Sequence, residues 1–198
     1  IIEAGDVQWM TAGSGIIHQE MPKKGKKDTL LWGFQLWANL PTSHKMMNPR
    51  YRDVKKTQIP ETSLNDNKVR IKIICGEVNG IKGPVQDIIT DPEYLEVTIE
   101  PNSEFSHRIK TDYNAFAYTI EGEGYFDDRR EELKGKETLI IYQKGDAVKI
   151  STDKEKVRFL LVSGKPLNEP VAWRGPIVMN TEEELRLAFS EYQNNTFN

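Results

Sequence analysis

Val69-Arg70-Ile71-Lys72-Ile73-Ile74-Cys75 sets Val69, Ile71 and Ile73 two positions apart, with Arg70 and Lys72 between them. Alternate side chains of an extended chain point to opposite faces, so this heptad reads as a half-buried strand with one apolar and one cationic side. Working outward, residues 94–100 (YLEVTIE) alternate in the same way, and 114–120 (NAFAYTI), 138–142, 147–150 and 157–162 continue the series. Residues 30–40 (LLWGFQLWANL), rich in aromatics and closed by Pro41, read as another strand. Turn residues separate the runs: Glu121-Gly122-Glu123-Gly124, Lys144-Gly145-Asp146 and Ser163-Gly164-Lys165-Pro166. Many short strands at this spacing imply an antiparallel sandwich or barrel.

One helix is expected, near the end. Asn180 or Thr181 offers an N-cap, Glu182, Glu183 and Glu184 place negative charge on the first turn, and Leu185, Ala188, Phe189 and Tyr192 form an apolar stripe to dock on a sheet. The strand-dense stretch from 69 to 162 suffices for one barrel. The strands before it then belong to an earlier barrel, and 41–68, with Pro49, Pro60 and Asn65-Asp66-Asn67, reads as the bridge. The chain opens at Ile1 without an initiator Met, like the middle of a fold. A barrel lacking strands leaves open edges and apolar faces around Trp9, Trp32 and Trp37, so a homodimer through those edges is expected.

Composition narrows the function classes. Of 198 residues, 27 Lys and Arg against 30 Asp and Glu leave a net charge of −3, so no bulk positive charge drives nucleic-acid binding and no direct nucleic-acid partner is expected. Seven Phe, four Trp and seven Tyr argue against a disordered chain. No apolar run approaches the roughly 20 residues of a membrane-spanning helix, and no signal peptide is visible, so a cytoplasmic protein without a membrane partner is expected. The single cysteine, Cys75, excludes intrachain disulfides and thiolate zinc clusters. It lies in an apolar run and reads as a buried small hydrophobe rather than a nucleophile.

Few residues can carry chemistry. The histidines are His18, His44 and His107. His18 and Glu20 form an H-x-E pair, which on a strand points both side chains to one side and toward one ion. Two donors hold a transition metal weakly, and the alternative is a surface histidine beside a solvated glutamate. His44 lies beside a polar loop and reads as exposed. His107 precedes the strand that ends at Gly122 and has no H-x-H partner. No phosphate-binding glycine loop is present, and neither Gly13-Ser14-Gly15 nor Ser163-Gly164 has the context of a nucleophile elbow. Lys23–Lys27 (KKGKK) and Asp127-Asp128-Arg129-Arg130 read as solvated turns.

The block Gly5-Asp6-Val7-Gln8-Trp9-Met10-Thr11-Ala12-Gly13-Ser14-Gly15-Ile16-Ile17-His18-Gln19-Glu20-Met21-Pro22 resembles the signature of the pirins, two-domain cupin proteins. The resemblance continues through Leu36-Trp37-Ala38-Asn39-Leu40 and Met46-Met47-Asn48-Pro49-Arg50-Tyr51, and closes on Gly175-Pro176-Ile177-Val178-Met179-Asn180-Thr181. It implies an all-β fold of two cupin (jelly-roll) β-barrels, the N-terminal one incomplete, plus a C-terminal helix. The expected divisions are 1–55 for the C-terminal part of the first, metal-site barrel, 56–68 for a linker, 69–180 for the second barrel and 181–198 for the helix and tail.

The family's N-terminal barrel usually holds iron through three histidines and a glutamate. His18 and Glu20 match the third and fourth ligands; the first two come from an H-P-H segment that these 198 residues do not contain. The resemblance thus implies His18 and Glu20 as metal ligands, Fe(II) or another divalent metal as cofactor, and Glu20 as a base in a quercetin 2,3-dioxygenase-type reaction on a small aromatic or flavonoid-like substrate. Its alternative is a non-catalytic regulatory or protein-interaction cupin of the transcription co-regulator type. A third reading is a shortened form without activity.

Overall fold

The computed structural model describes residues 1–21 and 32–196; the Lys23–Lys27 run and the first two residues of the 30–40 stretch lie outside them. In chain order the strands are β1 (Val7–Thr11), β2 (Arg50–Val54), β3 (Glu61–Leu64), β4 (Val69–Cys75), β5 (Glu77–Val78), β6 (Ile81–Lys82), β7 (Glu93–Ile99) and β8 (Glu104–Arg108). Then follow β9 (Asn114–Gly122), β10 (Gly124–Tyr125), β11 (Leu133–Lys134), β12 (Leu139–Ile141), β13 (Ala147–Ser151), β14 (Val157–Gly164), β15 (Ala172–Arg174), β16 (Ile177–Met179) and α1 (Glu182–Gln193). The chain divides into two compact units: residues 1–9 with 52–167, and residues 10–51 with 168–198.

The first unit is built on two antiparallel sheets, one of six strands ordered β12-β9-β14-β7-β4-β3 and one of four ordered β11-β10-β13-β8. The alternation of β4 dictates its packing. Val69, Ile71 and Ile73 are fully buried, beside Leu95, Val97 and Ile99 of β7 and Phe159 and Leu161 of β14. Phe159 meets Phe126 edge-on at 5.2 Å and Phe105 at 6.5 Å, so rings from both sheets interlock. The alternation fails at Ile74 and Cys75, where the β4–β7 register shifts. There the outer face gains its own small core: Ile74, Cys75, Val54 and Val85, with Val7, Trp9, Ile59 and Tyr94 against them. Trp9 is therefore packed rather than left on an open face.

Asn65-Asp66-Asn67 marks a hairpin turn rather than a bridge between barrels. All three residues take left-handed φ (52°, 53° and 66°), a conformation their short amide and carboxylate side chains tolerate, and β3 and β4 pair on either side. At the far end of β9, Gly122 has φ +71°, and a Cβ there would stand 1.8 Å from the Lys156 carbonyl oxygen, so only glycine fits. His107 also differs from expectation: it lies within a strand of its own, β8, which the polar run EFSHR concealed.

In the second unit, β15 and β16 form a hairpin, and α1 packs on it. Thr181 caps α1: its hydroxyl accepts from the Glu184 N–H at 3.2 Å, while Glu184 Oε2 accepts from the Thr181 N–H at 2.9 Å. Leu185 and Ala188 are buried, and Phe189 lies under the Arg174 guanidinium at 4.3 Å. Tyr192, expected in the stripe, is exposed, because three-residue strands are too short to cover a fourth position. Trp32 to Leu40, expected as a strand, form none. An extended segment becomes a strand only through ladder bonds to a neighbour, and the described residues offer it none.

Phe159→Ala should destabilise the first unit by about 3–5 kcal/mol, since the Phe126 and Phe105 rings lose their shared contact at once. Urea unfolding followed by tryptophan fluorescence measures it; a loss below about 1 kcal/mol would contradict the packing.

Candidate metal centre

The approach to His18 is set by a tight turn in the second unit. Gly13 has φ +54°, and a Cβ there would lie 2.1 Å from the Met47 carbonyl oxygen. The Ser14 N–H donates to that same oxygen at 2.9 Å, and the Gly15 N–H to Ala12 O at 2.9 Å. The glycine-serine-glycine signal is thus a backbone crossing that aims the following segment, not a nucleophile elbow.

His18 and Glu20 do not sit on a strand. Residues 12–21 have no ladder partner among the described residues, so the i, i+2 rule for strands does not apply through sheet geometry. The two side chains nevertheless converge: His18 Nδ1 stands 3.9 Å from Glu20 Oε1. They are open to solvent, with 40% and 61% of the side chains exposed. No third ligating side chain joins them among the described residues. His44 is exposed, as expected, and its Nδ1 lies 2.9 Å from Ser43 Oγ.

Sequence reasoning missed the polar knot of the second unit. Lys45 is buried, and its ammonium donates to Asn39 Oδ1 at 2.5 Å. Burial pushes its pKa down, opposed by the Glu169 and Glu184 carboxylates. Glu169 Oε2 accepts from the Thr42 N–H at 2.7 Å and the Thr42 hydroxyl at 2.8 Å, and these bonds hold its carboxyl below the usual range. Trp37 and Trp173 meet at 6.1 Å. The 37–42 segment and the 169–173 segment therefore meet within one unit, through pairs more than a hundred residues apart that no local spacing announces.

In the first unit, His107 is not alone. Its Nε2 lies 2.7 Å from Glu93 Oε2, both side chains are largely buried, and the ring stacks on Phe105 at 5.8 Å. A single imidazole–carboxylate contact closes the two sheets here, β7 from one and β8 from the other. Cys75 is buried, and its Sγ donates to the Pro92 carbonyl at 3.1 Å. Burial pushes its pKa up to about 11. The group is a neutral thiol at ordinary pH, which agrees with its reading as a small hydrophobe.

Two pirin family models match the chain: the one described as pirin over residues 1–38, and the pirin C-terminal cupin domain over residues 94–198. Pirin-1 of Arabidopsis thaliana is 40% identical over 196 residues, 98% of this chain and 66% of its own length. A Thermoplasma acidophilum protein named for quercetin 2,3-dioxygenase activity is 36% identical over 214 residues, covering all of this chain and 80% of that protein. The crystal structure of quercetin 2,3-dioxygenase from Acinetobacter baumannii superposes with a TM-score of 0.81 at 23% identity, over 99% of this chain and 68% of that one. That likeness establishes the cupin fold. The chain thus spans about two thirds of the length of the Arabidopsis relative.

A thiol with a pKa near 11 is almost wholly protonated at pH 8, whereas an ordinary cysteine is partly thiolate. Iodoacetamide should therefore modify Cys75 in the folded chain at least about a hundredfold more slowly than in urea. The rate should climb toward pH 11. Equal rates in the folded and unfolded chain would refute the assignment.

Proposed function

Since the chain belongs to the pirin family of cupin proteins, we propose that His18 and Glu20 contribute two ligands to a divalent metal, iron by family resemblance, in a quercetin 2,3-dioxygenase-type reaction. The 3.9 Å approach of His18 Nδ1 to Glu20 Oε1 carries this reading. Two donors each about 2.1 Å from one ion can stand no more than about 4.2 Å apart, so the pair fits a shared ion. It supplies half of a four-donor set, and the other donors are not among the described residues.

When bound, a metal with imidazole and carboxylate ligands polarises and orients a chelating hydroxyl-ketone of the flavonoid kind. His18 fixes one side of that site. Glu20, the more exposed of the two, also takes up the substrate hydroxyl proton at a carboxylate oxygen. The turn at Gly13 holds the segment's direction while both side chains work.

A second reading, a non-catalytic interaction or regulatory cupin, is favoured by the open setting of the pair and by the exposed indoles of Trp32 and Trp37. Those indoles also support self-association of the chain.

Oxygen uptake with quercetin, normalised to metal content, separates the readings. His18→Ala should lose most of the metal; unchanged metal content would remove His18 from the ligand set. Glu20→Gln should lower the rate per bound metal by about a hundredfold, the usual contribution of a positioned base. An unchanged rate per metal would end the base role. Metal-loaded protein that consumes no oxygen but binds a protein partner would favour the regulatory reading.

A further inference from the structure

Lys45, in the second unit, is only 6% exposed, and its ammonium donates to Asn39 Oδ1 at 2.5 Å. Burying an ammonium costs free energy that an apolar side chain of the same length would not. The Glu169 and Glu184 carboxylates oppose that cost. Both of them also hold backbone in place. Glu169 Oε2 accepts from the Thr42 N–H and hydroxyl, and Glu184 Oε2 accepts from the Asn180 and Thr181 N–H groups at 3.0 and 2.9 Å. One buried charge therefore faces groups that fix residues 39–42 and the start of α1.

The backbone of Lys45 continues directly into the turn that leads to His18. Residues Thr42–His44 form a 3₁₀ turn, closed by the Lys45 N–H donating to Thr42 O at 3.2 Å. The Met47 N–H donates to His44 O at 3.1 Å, which carries the hydrogen-bonded run on to residue 47. Met47 O in turn accepts from the Ser14 N–H at 2.9 Å, and it stands so close to Gly13 that a Cβ there would lie 2.1 Å away. Among the described residues, this is the backbone hydrogen bond that ties residues 12–21 to another segment. His18 comes three residues after that turn, exposed and without a strand beneath it.

We propose that Lys45 is a positioning residue for the His18–Glu20 pair. Its buried ammonium fixes the Met47 carbonyl on which the Gly13–Gly15 turn rests, and so fixes the direction in which His18 and Glu20 leave that turn. The proposal rests on the reading of these two residues as metal ligands. An exposed pair on a segment without ladder bonds must take its order from a buried contact elsewhere. A hydrogen-bonded ammonium supplies one geometry, whereas hydrocarbon of equal length fills the same space without specifying a direction.

Two measurements on the full chain test this: Co(II) titration read by visible absorption, and amide ¹⁵N relaxation of the metal-free protein. Lys45→Met should bind Co(II) about tenfold more weakly than the parent. Its absorption bands should also shift, which reports altered ligand geometry rather than the amount of folded protein. Without metal, the amides of residues 14–20 should lose order in Lys45→Met, while those of β7 and β14 keep theirs. Glu169→Gln removes a charge facing Lys45 but keeps an acceptor for Thr42, and should move both readouts the same way by less. Lys136→Met, exposed in the first unit, should match the parent. Should Lys45→Met fail to fold in a thermal melt, Glu169→Gln carries the comparison, and parent-like behaviour there overturns the proposal. Parent-like bands and relaxation in folded Lys45→Met overturn it while the metal reading stands. Co(II) binding that is absent in the parent, or undiminished in His18→Ala, overturns the metal reading instead, and the relaxation data still decide whether Lys45 orders the segment.

Discussion

Phe159 lies between the two sheets, with Phe126 edge-on to it at 5.2 Å and Phe105 at 6.5 Å, and the first unit is arranged around that contact. Burying those rings requires each facing strand to turn alternate residues inward, which β4, β7 and β14 do with Val69, Ile71, Leu95, Val97 and Leu161. The same rule sends Arg70, Lys72, Glu96 and Arg158 outward, where they can pair across strands without desolvating the core. Charge on the outer face and hydrocarbon within are two consequences of one periodicity.

Burial also sorts the reactive groups. Cys75 is buried, so its thiol stays protonated and it serves as packing. The Glu96 carboxyl is pushed up by desolvation, yet the Arg158 and Lys72 hydrogen bonds outweigh that penalty and hold it below its usual range. Below the ordinary carboxylate pKa this contribution to stability is lost as pH falls through the lowered value; above it the contribution is fully present. His18 and Glu20 lie at the other extreme, exposed and close together.

Strands β4, β7, β9, β12, β13 and β14 were legible because period-two alternation is local and the core simply obeys it. The helix was legible from Thr181 and the three glutamates after it, since a capping box involves only neighbours in sequence. Residues 32–40 were not, because aromatic content signals β propensity while a strand needs a partner that propensity cannot supply. β8 escaped because Phe105 is the only large apolar side chain in EFSHR. Lys45 and Glu169 escaped for a different reason: a buried lysine and the carboxylates facing it meet only through the fold. Of the candidate site, spacing and family resemblance singled out His18 and Glu20, and the contact between them came without the strand expected to provide it.

The central claim is that one imidazole and one carboxylate, two residues apart, share an ion. Anomalous diffraction at the iron edge from crystals of the protein grown with Fe(II) under anaerobic conditions tests it most directly. The account predicts a peak within about 2.3 Å of a His18 ring nitrogen and a Glu20 carboxylate oxygen. A peak beside His107 and Glu93 instead, or none at His18 while iron is present in the crystal, would contradict it.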